Sequence, residues 1–510
     1  MVVRFWAAAL AATAFFTSGA THAEWLEARS KHFLIYGEMP EDDLKDYALR
    51  LEKFDKAVRI VRMMDDPPTG DAAKVTIYVL HDADQVSWLA VGGPSPIAGF
   101  YEPRASGSVA FVPKPSRRNE SPLSGEAVFY HEYAHHLMFQ STDVAMPAWL
   151  TEGFAEFFTS ASVERDGQVK LGMPANHRAQ GLRYLSKPSI DLMFGPPPKS
   201  MSGEQMEAFY DWAWVYMHYL TFDPKRRGQL SKYVEALERN KDAKQAAVEA
   251  FGDLKEFDRD TTRYYNANKF RYLIINNPEV QQVSAGVRKL RPGEDAIMWL
   301  RIQSTRGVGV KKAPSLASKM RDVAAKYPTD PFVQRSLAQA EYDANDYAAA
   351  ITAADRSIAL DPKIGKAYVY RGLARMALAR AGGKADWTEI RADFAKANHI
   401  DPDDAQALEL YYESFASTGQ RPTNNAIEGL QYALSIAPQD RQLRSMVVVQ
   451  YLNEGKLKEA RHEIAPLAYY PHKSESRDRA QQALAAIDAG NAQQALAALA
   501  EPAPGNKSDD

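Results

Sequence analysis

The chain of 510 residues contains no cysteine. That absence excludes disulfide staples and a lipid carried on an N-terminal cysteine, so stability has to come from buried apolar surface, which a chain of this length can supply. Nor is there an excess of charge of either sign: 62 Lys and Arg face 65 Asp and Glu, a formal net charge of −3. No electrostatic case therefore exists for a nucleic-acid partner or an anionic membrane surface. Long hydrophobic runs are missing beyond the N-terminal stretch. Residues 206–222 come nearest to a membrane span, and Glu207 and Asp211 interrupt them.

The first 23 residues have a composition of their own. They carry one charge, Arg4, then an apolar run from Phe5 to Phe16, then Thr21-His22-Ala23 before Glu24. This is the layout of a secretory signal peptide, and its apolar core is too short to cross a bilayer. The expectation is cleavage near Ala23 and export to a periplasm or the outside of the cell. Without this leader the balance is 61 Lys and Arg against 65 Asp and Glu, a net of −4, because Arg4 leaves with it.

The chemistry is concentrated between residues 131 and 156. His131-Glu132-Tyr133-Ala134-His135 sets two imidazoles four residues apart, on one face of a helix, where both reach a single metal ion. Glu132 stands one residue round from His131, placed to take a proton from an attacking water. Two histidines alone leave a catalytic zinc site underfilled, and Glu152 is the obvious supplier of a third ligand. It lies in Pro147-Ala148-Trp149-Leu150-Thr151-Glu152-Gly153-Phe154-Ala155-Glu156-Phe157-Phe158, with Pro near the start and apolar residues at helical spacing. Helix, short loop and second helix bring His131, His135 and Glu152 together as a ligand set for Zn2+ with a fourth position free for water. The bland alternative is a helix with a solvated Glu132 and two satisfied histidines. His136 adjoins a ligand but points about 100° away on the helix, toward packing or surface.

These residues resemble the gluzincin metallopeptidases, the thermolysin-like clan that includes the alanyl aminopeptidases. The aminopeptidase branch has an Asn-Glu-Gly-Phe-Ala stretch after an apolar Trp-Leu. Here Trp149-Leu150-Thr151-Glu152-Gly153-Phe154-Ala155 carries Thr151 in place of that Asn, after a shorter spacer. The resemblance is specific over about residues 125–160 and loose over 24–275. It implies that His131, His135 and Glu152 hold zinc, that Glu132 is the general base, and that Glu156 accepts the second N–H of a ligand histidine. It also implies a tyrosine downstream that stabilises the oxyanion. Tyr210 occupies a plausible place for it, although no motif fixes the match and plain packing is the simpler role.

Around this site, His32–Tyr36 and Val75–Leu80 read as strands and Glu41–Met64 as an amphipathic helix. Ala98–Tyr101 and Val109–Val112 flank Ser106-Gly107 as the two strands of a hairpin would. Residues 107–113 form either the sheet edge against which an extended peptide lies or an internal strand. Residues 161 to about 310 read mostly helical after Gly195-Pro196-Pro197-Pro198, and Phe209, Trp212, Tyr216 and Leu220 form a core stripe with Tyr210 and His218 off it.

From about 313 the chain turns Ala-rich and repeats itself. Prolines recur at 328, 362, 402, 438 and 471, at intervals of 34, 40, 36 and 33, close to the tetratricopeptide period. Small residues such as Gly372-Leu373-Ala374 sit at close-packing positions, and Gly382-Gly383 accounts for the longest interval. Such hairpins bury their apolar faces only against neighbours and offer a concave surface to a protein or peptide partner.

The expected architecture is an α+β zincin-like metallopeptidase domain with a helical extension, followed by an all-α tetratricopeptide-repeat solenoid. Its parts are the leader (1–23), a mixed α/β part with the metal site (24–160), a helical part completing that domain (161–312), repeats with capping helices (313–500) and a disordered tail (501–510). The expected function is zinc-dependent hydrolysis of peptide bonds, with a peptide or protein substrate, a protein partner on the repeats, no nucleic acid and no membrane span. The absence upstream of an acidic motif for a free amine turns the expectation toward an endopeptidase. Two rivals remain: an amide hydrolase for non-peptide substrates such as cell-wall fragments, and a catalytically idle peptidase-like scaffold whose repeats bind protein partners.

Overall fold

The protein is described by a computed structural model over residues 24–66, 69–95, 97, 99–115, 124–141, 146–195, 201–239, 242–383, 386–469 and 474–500. The expected leader and tail, Pro196–Pro198 and Pro471 lie outside these residues.

Apolar runs bounded by turn residues form the strands. β1 (Leu26–Arg29), β2 (Phe33–Gly37), β3 (Val75–Leu80), β4 (Phe100–Glu102) and β5 (Val109–Pro113) belong to the first part of the chain; β6 (Ser162–Val163), β7 (Val169–Leu171), β8 (Leu273–Ile275) and β9 (Gly286–Lys289) follow later. One six-stranded sheet has the order β4-β5-β3-β2-β1-β9, and β6, β7 and β8 form a small separate one. β2, β3 and β5 run parallel, whereas β4 is antiparallel to β5 and β1 is antiparallel to both β2 and β9.

This topology decides one open alternative and extends one reading. β5 lies inside the sheet, between β4 and β3, so residues 107–113 are not its edge; β4 is. The segment read as mostly helical also contributes four short strands, and β9 returns to close the sheet's far edge on β1.

The alternation of side chains along the strands gives the sheet two apolar faces. On one, Ile35, Ile77 and Ala110 meet α1 (Glu41–Arg62), which buries Leu44, Leu51, Phe54 and Val58. On the other, Tyr36, Tyr78 and Phe111 stack with ring centroids 5.6 and 5.5 Å apart. Beside them pack α2 (Ala83–Val91) and, much later in the chain, α12 (Pro292–Arg306). The helices that carry the candidate ligands, α3 (Gly125–Ser141) and α4 (Ala148–Thr159), join the α1 side, followed by α5 (Ala179–Tyr184), α6 (Ile190–Phe194) and α7 (Gly203–Phe222). Phe209, Trp212, Tyr216 and Leu220 of α7 are buried as the stripe requires. His218, off the stripe, is buried too, bonded to Tyr264, Gly172 and Arg271. Helices α8 (Gln229–Glu238), α9 (Ala243–Phe251), α10 (Leu254–Asn266) and α11 (Pro278–Gln281) complete this half. No helix among the described residues is long and apolar enough to cross a membrane.

Beyond α12 the chain is an all-α repeat solenoid. Its helices are α13 (Ala313–Lys326), α14 (Pro331–Asp343), α15 (Tyr347–Leu360), α16 (Gly365–Arg380), α17 (Trp387–Ile400), α18 (Ala405–Ala416), α19 (Asn424–Ile436), α20 (Arg441–Asn453), α21 (Leu457–Ala468), α22 (Glu475–Asp488) and α23 (Ala492–Leu499). Pro328, Pro362, Pro402 and Pro438 fall in the turns between successive hairpins, and Asp330, Asp404 and Asp440 cap the helices that follow three of them. Gly372 is a true close-packing position, since a Cβ there would meet the Phe394 ring at 2.6 Å.

Those same turns dock the solenoid on the sheet half. Asp403 and Asp401 accept the backbone N–H groups of Gly70 and Ala72 at 2.9 and 2.7 Å. Asp440 accepts from Ala105 at 2.6 Å, and the Gln439 amide donates to Ser108 Oγ at 3.0 Å. α12 is the covalent and apolar bridge: Met298 and Ile302 belong to the sheet's second core, Ile297 to the first solenoid core.

Candidate metal centre

α3 buries Phe129, Tyr130, Tyr133, Ala134 and Leu137 against the sheet half, and that packing fixes the helix's rotation. His131 and His135 then emerge together on the other face, 15 and 16 % exposed. α4 is buried along its length and carries Glu152, 1 % exposed, toward them. Gly153 sets how closely α4 meets α7: a Cβ at this position would lie 2.6 Å from the carbonyl oxygen of Ala213. On an open helix surface Gly→Ala gains about 1 kcal/mol. Here the obstacle is backbone that cannot rotate away, so Gly153→Ala is expected to destabilise the protein by about 1–3 kcal/mol. Thermal unfolding checks the sign: a raised Tm would show that α4 and α7 have room to spare.

His131 Nε2 and His135 Nε2 each lie 3.5 Å from one oxygen, Glu152 Oε2. Zinc bonds of about 2.0–2.2 Å in a tetrahedron separate neighbouring ligand atoms by about 3.3–3.5 Å. The three donors therefore have the spacing of ligands around one small ion. Among the described residues, both Glu152 oxygens and His135 Nδ1 are buried without a hydrogen-bond partner. A second cluster, His32, Glu52 and Asp55, is the informative contrast. His32 Nδ1 lies 2.9 Å from Glu52 and Nε2 3.0 Å from Asp66, while Asp55 accepts from Arg59 and from Tyr133 at 2.9 and 2.8 Å. Every member there has partners, which is what an internal ion network needs. Glu152, by contrast, is short of partners at the carboxylate oxygens a cation would satisfy, and a His₂Glu donor set fits zinc.

The surroundings hold the ligands in place. His131 turns its Nδ1 to Thr159 Oγ1 at 3.2 Å and to Glu156 Oε1 at 3.3 Å. Glu156 is itself gripped by His177 at 2.8 Å and by Arg178 at 3.0 and 2.5 Å. Burial works against a charged His131, yet Glu152 and Glu156 outweigh it and raise its pKa to about 10 in the absence of a metal. The Glu152 and Glu156 carboxyls are desolvated but held well below the ordinary range by the facing histidines, with Arg178 assisting at Glu156. Glu156 thus occupies the place expected for it, whereas Thr159, His177 and Arg178 were not foreseen. His177 and Arg178 lie in a single turn, Asn176–Arg178, with no periodicity or motif to mark them.

Glu132 lines a cleft of about 100 Å³ beside His135 and Glu152. Its far wall comes from the solenoid, through Gln439, Arg444 and Leu467 among others. On the other side of Glu152 lies an apolar cavity of about 430 Å³, lined by Met193, Phe209, Tyr210 and the solenoid's Tyr469. The Tyr210 ring stacks near His131, centroids 6.3 Å apart, with the Arg178 guanidinium 5.3 Å from its centre. Burial, and then the charges of Glu152, Glu132 and Glu156, push its hydroxyl pKa far up, so Tyr210 keeps its proton. Of packing and surface, His136 takes packing, between the Tyr101 hydroxyl at 3.0 Å and Gln140 at 2.9 Å, and burial lowers its pKa to about 3.

No family model matches the chain, and no curated protein does either. Part of it is similar to solved structures of tetratricopeptide-repeat proteins. One, a thermophilic protein from Thermus thermophilus, is 20 % identical, matches over 38 % of this chain and 99 % of its own, and has a TM-score of 0.32. YrrB, described as a tetratricopeptide-repeat protein with an unusual peptide-binding site, is 18 % identical over 36 % of this chain and 89 % of its own, with a TM-score of 0.29. A double mutant of MamA from RS-1 gives 18 % identity, 34 and 94 % coverage and a TM-score of 0.28. The repeat architecture of the present chain rests on its own helices and the turns between them.

Proposed function

We propose that the chain is an exported zinc metallopeptidase whose helical repeats bind the protein or peptide that it cleaves. The observation that carries the hydrolytic half is the buried carboxylate of Glu152, without a hydrogen-bond partner among the described residues, at ligand spacing from two imidazoles. The sheet packed behind the His-Glu-x-x-His helix, with a second helix delivering the glutamate, supports the zincin-like reading that the gluzincin resemblance implies. His131, His135 and Glu152 would hold the ion. Zinc, when bound, supplies Lewis acidity that lowers the pKa of water and polarises a carbonyl. Glu132, lining the cleft beside them, takes a proton from the attacking water and hands it to the leaving amine. Tyr210, a neutral donor next to His131, is assigned the hydrogen bond to the oxyanion.

A second reading is a scaffold that binds protein partners through its repeats around an idle site. The narrowness of the cleft over Glu132 favours it, because about 100 Å³ is small against the roughly 300–1,000 Å³ of ligand pockets. What the comparisons found bears on the repeats, and nothing in them speaks for hydrolysis. The two readings part in one experiment. The full chain, loaded with zinc, is incubated with a mixed peptide library before and after a chelator. Cleavage that the chelator removes and added zinc restores is expected; intact peptides at full zinc occupancy would leave the scaffold.

A further inference from the structure

We infer that the cavity at the junction of the solenoid with the sheet half is a binding site for an acidic peptide segment, positioned to hold a chain that passes over the metal centre. The cavity measures about 410 Å³ and is lined by four arginines: Arg104 from the sheet half, and Arg441, Arg477 and Arg479 from the solenoid. It shares Pro103, Arg441 and Leu467 with the cleft that contains Glu132, His135 and Glu152, so the two spaces adjoin.

Three independent features make this cavity favourable to negative charge. The first is the balance of its walls. Asp440 is the one carboxylate among the described residues that line it, and its oxygens are taken by the backbone N–H groups of Ala105 and Leu443 at 2.6 and 2.9 Å. The second is backbone polarity. α20 begins at Arg441 and α22 at Glu475, and the residues lining the cavity include the opening turns of both. Helix N-termini present N–H groups and partial positive charge. Glu475 and Asp478 in the first turn of α22 lie off the lining, Asp478 standing 3.7 Å from Arg477. The third is an unmet donor. Arg479 Nη1 is buried with no hydrogen-bond partner among the described residues, although the residue as a whole is half-buried, and a buried donor left so is costly unless an acceptor reaches it.

Arg104 is held rigidly, its guanidinium donating to the carbonyls of Thr305 and Arg306 and paired with Glu102. Ser445, Ser474 and Ser476 add hydroxyls around the arginines. Guanidinium forks suit carboxylates in two-point contacts. The cavity's place beside the cleft favours an extended chain over an isolated small anion. It deepens the peptidase reading, on which its role in substrate choice rests, although binding as such needs no hydrolysis.

The test uses the full zinc-loaded chain carrying Glu132→Gln, to prevent turnover, and two fluorescent decapeptides, one rich in Asp and Glu and one with Asn and Gln in their places. Fluorescence anisotropy is expected to give at least about tenfold tighter binding of the acidic peptide, each guanidinium–carboxylate contact being worth about tenfold. Adding Arg441→Gln and Arg479→Gln should erase that preference while the circular dichroism and Tm stay put. Should this variant fold poorly, Arg479→Lys, which keeps the charge and loses the fork, should cut the preference part-way. Equal affinity for the two peptides, or a preference untouched by the arginine changes, overturns the assignment. So does displacement of the acidic peptide by an equal concentration of inorganic phosphate, which would mark a small-anion site. Arginine-dependent binding without any cleavage by the unsubstituted chain would keep the cavity and remove the peptidase reading; cleavage indifferent to acidic residues would do the reverse.

Discussion

Glu132→Gln is expected to leave one zinc per chain and to abolish peptide hydrolysis. The amide has the carboxylate's shape and keeps the fit of the cleft, but it cannot accept a proton from water or pass one to a leaving amine. General acid–base groups contribute roughly 10²- to 10⁴-fold to rate, and a group that serves both proton transfers belongs at the upper end. Glu132 is not among the three gathered donors His131, His135 and Glu152, so the metal should remain. Metal analysis of purified protein, alongside kcat/KM on any peptide cleaved by the unsubstituted chain, measures both halves. Undiminished proteolysis with zinc in place would remove Glu132 from the mechanism. Loss of zinc together with activity would show instead that its carboxylate shapes the ligand set.

The site was legible in the sequence because its geometry is local. Two histidines four residues apart share a helix face whatever the fold, and a glutamate one helix later needs only a short return, so residues 131–152 contain the whole donor set. The repeats were legible for the same reason, each unit packing on its sequence neighbour. Strand β3 is legible to the residue, since an uninterrupted apolar run between turn residues has few other fates. What escaped is held by distant contacts. β9 has four residues, too few for a period-two pattern, and its pairing with β1 depends on tertiary packing. Thr159, His177 and Arg178 serve the ligands only because α4 ends beside a loop that folds back. The docking of the solenoid by Asp401, Asp403 and Asp440 was hidden for another reason. Asp440 already has a sufficient role as a helix cap, and nothing in the sequence says that its second oxygen, or the turn carboxylates of Asp401 and Asp403, reach another domain. Yet that docking makes the repeats a wall of the cleft rather than a separate appendage.

Glu152→Ala should have the other large effect, on metal occupancy. With a carboxylate missing from a set of three, two imidazoles alone would face the ion, and zinc content of the purified chain should drop far below one per molecule. Proton competition sharpens the test. In the metal-free protein His131 is held protonated, with a pKa of about 10, by Glu152 and Glu156 acting against burial. Zinc must displace that proton, so its affinity rises with pH below about 10 in the parent chain. Removing Glu152 withdraws the first of the two supports, moving this dependence to lower pH while weakening the site throughout. Ligand binding to the folded state alone stabilises by about 2.7 kcal/mol at a hundredfold excess over Kd. The parent's Tm should therefore climb with added zinc and the variant's should not. A generally unstable variant is distinguishable, because its Tm would be low with or without metal whereas a ligand's loss shows as a missing zinc response. Full occupancy in Glu152→Ala would show that another residue supplies the third ligand.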